Sequence, residues 1–253
     1  MTDEEMGNGG DTDSGTGDTG GTGGTGLRER KKQRMYQAVS DAAIALFLEK
    51  GFDQVPVAEV AAAADISKPT LFRYFPAKED LVLHRFADHL DEAARVVTAR
   101  PAKHSPLDAL HRHFLDGLER QDPVTGLCDN VHVLAFHRLL YGTPSLVARL
   151  YGYQERSEKA LGDALSEASG GTPAGAPGGA PDGAPDGAPD GGDGDKLAAR
   201  LAAGQIIAVQ RILALDIWRR VDAGEKAEAV RPDAVMATNR AFGQLRSGLT
   251  RYA

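Results

Sequence analysis

Residues 58–81 read AEVAAAADISKPTLFRYFPAKEDL, and their spacing describes two short helices separated by a tight break. Val57, Val60, Ala61 and Ala64 recur at steps of three and four, which predicts an amphipathic helix of about two turns over 57–64. Asp65-Ile66-Ser67 then interrupts the pattern. Ser67 is suited to an N-cap, because its hydroxyl can accept a backbone N–H of the next turn. Pro69 falls where a missing N–H does little harm, so a second helix is expected to start at Lys68. Leu71 and Phe75 share one face of it, while Lys68, Thr70, Arg73 and Tyr74 project largely elsewhere.

Neither helix is long enough to stand alone in water. Residues 28–50 offer the missing support: Met35, Val39, Ala43, Leu46 and Phe47 form an apolar stripe at helical spacing, closed by Lys50-Gly51 with glycine in a C-terminal capping position. Three helices packed in this way, with polar side chains left on the last of them, present that helix to a DNA groove.

From about Arg34 to Leu83 the chain resembles the TetR family of transcriptional regulators. The matching features are the Gly51-Phe52 turn, the apolar-acidic-apolar helix Val57-Ala58-Glu59-Val60-Ala61, the run from Ser67 to Phe75, and Lys78-Glu79-Asp80-Leu81. Pro56 stands where the family usually places a Ser or Thr cap, Asp65 replaces a turn glycine, and Phe72 replaces a common tyrosine. Asp65 is therefore expected to take a left-handed conformation, which Asp tolerates better than most residues. The resemblance implies an all-α protein: a three-helix helix-turn-helix DNA-binding domain followed by a helical ligand-binding and dimerisation domain. It also implies a homodimer on an inverted-repeat operator in double-stranded DNA. By the same resemblance Lys78 contacts phosphate at the start of the next helix, with Tyr74 and Thr70 beside it. Lys68, Pro69, Phe72 and Arg73 are the candidates for base edges, Arg73 being able to take guanine O6 and N7. Ser67 and Arg34 complete the DNA-facing set. For Phe72 the other reading is core packing. For the cluster Arg28, Arg30, Lys31, Lys32 and Arg34 it is a solvated charge run.

A formal net charge of −7 looks wrong for a partner of a polyanion until the acidity is located. Residues 1–26 carry six acidic groups and no Lys or Arg, and residues 170–195 carry five and none; the remainder holds 29 basic against 25 acidic groups, a net of +4. These two segments also contain 20 of the 30 glycines, and the second repeats Gly-Ala-Pro-Asp three times from Gly179 to Asp190. Such composition buries too little apolar surface to offset chain entropy. The expected organisation is a disordered tail over 1–26, a DNA-binding domain over 27–77, and a helical domain over 78–253 with a disordered insert at 169–195.

In the second domain the spacing predicts helices over 78–99, 107–120, 127–141, 144–168, 195–223 and 232–252, with Leu81, Arg85, Asp88 and Glu92 on polar or mixed faces of the first. Two of these helices carry the expected dimer interface, through Ile206, Val209, Leu213 and Ile217 in one and Ala234, Ala241, Phe242, Leu245 and Gly248 in the other. A second apolar stripe, Leu201, Ala208, Ile212 and Leu215, lies on another side. A monomeric bundle in which these residues are internal is the alternative. Candidate effector contacts are His132, Phe136, Tyr151, Gln154, Gln205 and Arg211, a mixture suited to a mostly apolar pocket with a few polar anchors.

The C-terminal half also resembles regulators that bind acyl-CoA-like molecules, as in mycofactocin-associated regulators, through Asp216-Ile217-Trp218 and the Phe242–Leu249 ending. The expected effector is thus a small hydrophobic or acyl-CoA-like molecule, and repression the expected outcome, with activation left open. No Ser elbow, phosphate-cradling loop or spaced His and carboxylate set is present, so no catalytic residue, cofactor or metal is expected. Use of the helix-turn-helix surface on a protein partner remains the alternative function. A single cysteine, Cys128, is either a small buried residue or a redox sensor. With no apolar run of membrane length read in the sequence and no signal peptide pattern, the expectation is a cytoplasmic protein without a membrane partner.

Overall fold

A computed structural model describes residues 23–170 and 191–253. Among these the chain is helical with no strand: α1 Gly23–Lys50, α2 Val57–Ala63, α3 Lys68–Tyr74, α4 Asp80–Leu83, α5 Glu92–Ala99, α6 Pro106–Glu119, α7 Val131–Gly142, α8 Pro144–Gly170, α9 Gly191–Asp222 and α10 Ala227–Gly248. Short 3₁₀ turns lie at His84–His89, Pro123–Thr125 and Thr250–Tyr252.

The N-terminal half follows the local signals closely. Gly51, at φ 89°, ends α1 and returns its N–H to the Phe47 carbonyl at 2.9 Å. Pro56 starts α2 without a side-chain cap, Asp65 turns at φ 53°, and the Ser67 hydroxyl caps α3 by accepting the Thr70 N–H at 3.2 Å. Val39, Ala43 and Phe47 of α1, Val60 and Ala61 of α2, and Leu71 and Phe75 close one core. That core also takes Leu81, Val82 and Leu83 of α4, Phe136 and Leu140 of α7, and Leu146 of α8, so it reaches well past residue 77. A second core gathers α5, α6, α8, α9 and α10 around Leu107, Phe114, Leu118, Leu165, Ile206 and Phe242.

Several element boundaries differ from the sequence expectation. The continuous helix over 78–99 is broken into α4, the 3₁₀ turn and α5. Leu81, Val82 and Leu83 are three consecutive buried residues serving the first core, whereas Val97 serves the second, and no single helical face reaches both. Leu81 is accordingly buried rather than on a polar face. Helix α10 starts at Ala227, before Pro232, which sits exposed inside the helix. Leu127 is buried ahead of α7, which Asn130 opens by accepting the His132 N–H at 2.9 Å. Residues 23–26, 169–170 and 191–195, expected in the tail and the insert, are helical. The rest of those two segments, 1–22 and 171–190, lies outside the described residues.

Two contacts tie the halves together around α4. The buried Ser40 hydroxyl of α1 donates to the Leu81 carbonyl at 2.7 Å. Arg149 of α8 grips the buried Asp80 carboxylate with two bonds, at 2.9 and 3.0 Å. This fork gives fixed geometry as well as charge pairing.

Candidate functional site

Helix α3 is short, and its register is set by what it buries. Leu71 is fully enclosed and Phe75 nearly so, which turns Lys68, Pro69, Phe72 and Arg73 to solvent. Phe72 is 40% exposed, which removes the core-packing reading for this ring. The Lys68 ammonium lies 5.9 Å from the centre of the Phe72 ring. The Arg73 guanidinium stacks on Tyr74 at 4.9 Å and donates to its hydroxyl at 3.1 Å. Tyr74 is half-buried and meets Tyr36 of α1 edge-on at 5.2 Å. The Ser67 and Thr70 hydroxyls are bonded to each other at 2.8 Å. Arg30, Lys31, Lys32 and Arg34 are exposed along the start of α1.

Lys78 is held partly inward. Its ammonium donates to the Phe52 carbonyl and lies 4.5 Å from the Phe52 ring and 5.3 Å from the Phe47 ring, so it is half-buried beneath the turn that ends α1. The negative end of the α1 dipole and two aromatic faces attract the cation inward. Lys78 therefore braces the recognition unit in this conformation and is not laid on its outer surface.

The expected effector contacts divide. His132, Tyr151 and Gln205 are exposed, and Phe136 belongs to the N-terminal core. Tyr151, Gln154 and Arg211 share a small cavity of about 100 Å³, and Gln154 and Arg211 also stand on the wall of a cavity of about 180 Å³ between α5, α6, α8 and α9. Leu110, Phe114 and Ile207 supply its apolar wall. Opposite lies a group that sequence reasoning missed. Glu92 of α5 accepts from His89 at 2.7 Å and contacts His113 of α6 at 3.1 Å. Hydrogen bonds from these two imidazoles outweigh partial burial and hold the Glu92 carboxyl far below the ordinary carboxylate range. The i, i+3 spacing of His89 and Glu92 was the one available signal; His113 is 21 residues further on. His111, two residues earlier, serves packing instead, stacked on Phe242 at 4.8 Å and bonded to Asn239 at 2.8 Å.

Five of the expected dimer residues need correction as well. Ile206, Ile217, Ala234, Phe242 and Leu245 are buried within one chain, and Val209 and Leu213 pack against the same core; Ala241 is half-buried and Gly248 exposed. Docking of α8 and α10 onto α9 selects that stripe as the inner one. The outward apolar residues are Leu197, Leu201 and Ile212 of α9 and Met236 of α10, all more than half exposed. By length and composition alone α9 is apolar enough to cross a membrane, contrary to the reading that no such run exists. Only 22% of its most apolar stretch is buried. Cys128 is half-buried.

Residues 39–84 match the family model described as bacterial regulatory proteins, tetR family. The HTH-type transcriptional regulator TcmR of Streptomyces glaucescens is 34% identical over 139 residues, covering 54% of this chain and 59% of that protein. The Mycobacterium tuberculosis protein named as a mycofactocin biosynthesis transcriptional regulator, MftR, is 33% identical over 86 residues, 34% of this chain and 43% of that one. The chain thus spans about half the length of the curated relatives it matches. Among solved structures, FadR from Bacillus subtilis in complex with stearoyl-CoA is 17% identical with a TM-score of 0.45, over 84% of this chain and 98% of that one.

Proposed function

We propose, from the match of residues 39–84 to the family model of tetR-family bacterial regulatory proteins, that the protein is a ligand-responsive transcriptional repressor that grips an inverted-repeat operator as a homodimer. The observation that carries this reading is α3: a capped helix, anchored by Leu71 and Phe75, whose Lys68, Pro69, Phe72 and Arg73 are left to solvent. Arg73 supplies a fork for a guanine edge and Phe72 or Pro69 an apolar contact for a thymine methyl. Tyr74, Thr70 and the basic start of α1 position the helix on phosphates. Two such helices related by a two-fold axis reach major grooves about 34 Å or more apart.

The dimer in this proposal forms through the outward stripe of α9. An apolar helix so little covered by its own chain needs a partner surface. Leu201→Asp and Ile212→Asp together are expected to give a species at the mass of one chain, 26.8 kDa, in sedimentation, with the wild type at twice that.

The effector sits in the cavity between Glu92 and Arg211 and is a hydrophobic molecule carrying hydrogen-bonding groups. Acyl-CoA esters, brought forward by the C-terminal resemblance, are the first panel to titrate. His89 joins this cavity to the 3₁₀ turn whose first residue, His84, stacks on Tyr36 at 5.1 Å. A ligand that displaces His89 from Glu92 shifts the turn and, with it, the Tyr36, Tyr74 and Phe75 cluster at the end of α3. DNA and effector then favour different conformers, and linkage requires each to weaken the other by the same factor. Selecting bound duplexes from a random pool, then titrating them by fluorescence anisotropy with and without effector, tests the proposal. Salt-insensitive or absent DNA binding contradicts it.

A further inference from the structure

A larger cavity, about 330 Å³, opens where the two halves of the molecule meet. Its walls come from both: Gln37 of α1, Arg85, Phe86 and His89 of the 3₁₀ turn, and Phe136 and His137 of α7. Three features make it more than a gap. His137 is 7% exposed, yet its Nδ1 has no hydrogen-bond partner, a costly state for a buried polar atom. Phe86 and Phe136, with ring centres 5.9 Å apart, form an aromatic wall. The Arg85 guanidinium lies over Phe136 at 5.6 Å and gives Asp41 one bond, from Nη2 at 2.8 Å, which leaves further donors of its fork for another acceptor.

We propose that this interdomain cleft is a second small-molecule site, separate from the inner cavity, and that it takes a flat aromatic carboxylate. The ring lies against Phe86 and Phe136, and the carboxylate accepts from Arg85 and from the His137 imidazole on the cleft wall. Burial depresses the basicity of His137 and keeps its imidazole neutral, so one nitrogen donates without carrying a buried charge. A bidentate guanidinium contact selects a carboxylate over an alcohol. Because Gln37 stands on α1 and His137 on α7, an occupant bridges the DNA-binding unit to the helical domain directly. It does so without entering the inner cavity, although His89 of the Glu92 cluster and Val124 border both.

The test is calorimetric titration of the full chain with 1-naphthoate at millimolar concentration, with the fluorescence of the sole tryptophan as second readout. Trp218 lies edge-on to His137 at 6.2 Å. Saturable binding is expected, weakened about tenfold by His137→Phe, which keeps a ring and removes the donor. Val133 of α7 also lines the cleft, and Val133→Trp, which fills it, is expected to abolish binding. Ser157 of α8 lines the inner cavity and not the cleft; Ser157→Phe is expected to leave naphthoate binding unchanged, and the neutral 1-naphthylmethanol to bind about tenfold more weakly than the acid. Thermal unfolding of each variant confirms that it is folded; should His137→Phe fail that check, Val133→Trp and Ser157→Phe decide the matter. Absence of saturable binding, binding that survives Val133→Trp, or binding lost in Ser157→Phe overturns the proposal.

Discussion

Helix α3 and the Glu92 cluster both display charged and aromatic side chains beside a buried apolar base, but they are built in opposite ways. In α3 every feature lies within eight residues: a Ser67 cap, Leu71 inward, Phe72 and Arg73 outward. The cluster draws Glu92 from α5, His89 from a 3₁₀ turn and His113 from α6, with Gln154 and Arg211 arriving from α8 and α9 to complete the wall. A surface made of neighbours in sequence tolerates changes in chemistry without changing shape. One assembled from five elements holds its shape through the charges themselves.

The contrast is tested most strongly inside α3. Leu71→Ala is expected to destabilise the protein by about 2–5 kcal/mol in thermal or urea unfolding, since it empties a fully packed position. The adjacent Phe72→Ala is expected to change stability by no more than about 0.5 kcal/mol while weakening operator binding. Equal stability losses for the two would break the division between inward and outward faces.

Next in size is Arg73→Ala, expected to cost about 1–3 kcal/mol of operator affinity and to relax preference at one base position, read by anisotropy on duplexes that differ there. A uniform loss across all duplexes would reassign Arg73 to phosphate contact.

Glu92→Gln probes the other region. The folded carboxyl is held below its unfolded value, so the stability it contributes is fully present above about pH 4.3 and is lost as pH falls through the folded value. The variant is expected to lose about 1–2 kcal/mol at pH 7, with a shallower acid limb in unfolding measured against pH. An acid limb parallel to that of the wild type would show that the imidazole pairs do not hold the cluster together. The smallest effect belongs to Ser67→Ala, about 1 kcal/mol for a lost cap, expected in unfolding with DNA specificity unchanged.

The same contrast explains what was legible from residues alone. Asp65 at φ 53°, the Ser67 cap and the burial of Leu71 and Phe75 follow from chemistry within one or two turns. The inward contacts of Lys78 were not legible because its partners, the Phe52 carbonyl and two rings, lie more than twenty residues back. Helix α9 carries apolar residues on more than one side, and which stripe faces inward depends on where α8 and α10 dock. Ile206 and Ile217 therefore went to the core, while Leu201 and Ile212 stayed outside. His132 looked like a pocket residue by type, but it is exposed, because type does not set direction on a helix whose neighbours are unknown.

The central claim is that the solvent-facing side of α3 engages duplex DNA. Anisotropy of a selected inverted-repeat duplex, titrated with the full chain across a series of salt concentrations, tests it most directly. The expected result is binding by two chains whose log affinity falls linearly with log salt, with weaker affinity and altered base preference in Arg73→Ala. Absence of binding at low salt, or an Arg73→Ala chain that binds as the wild type does, would contradict it.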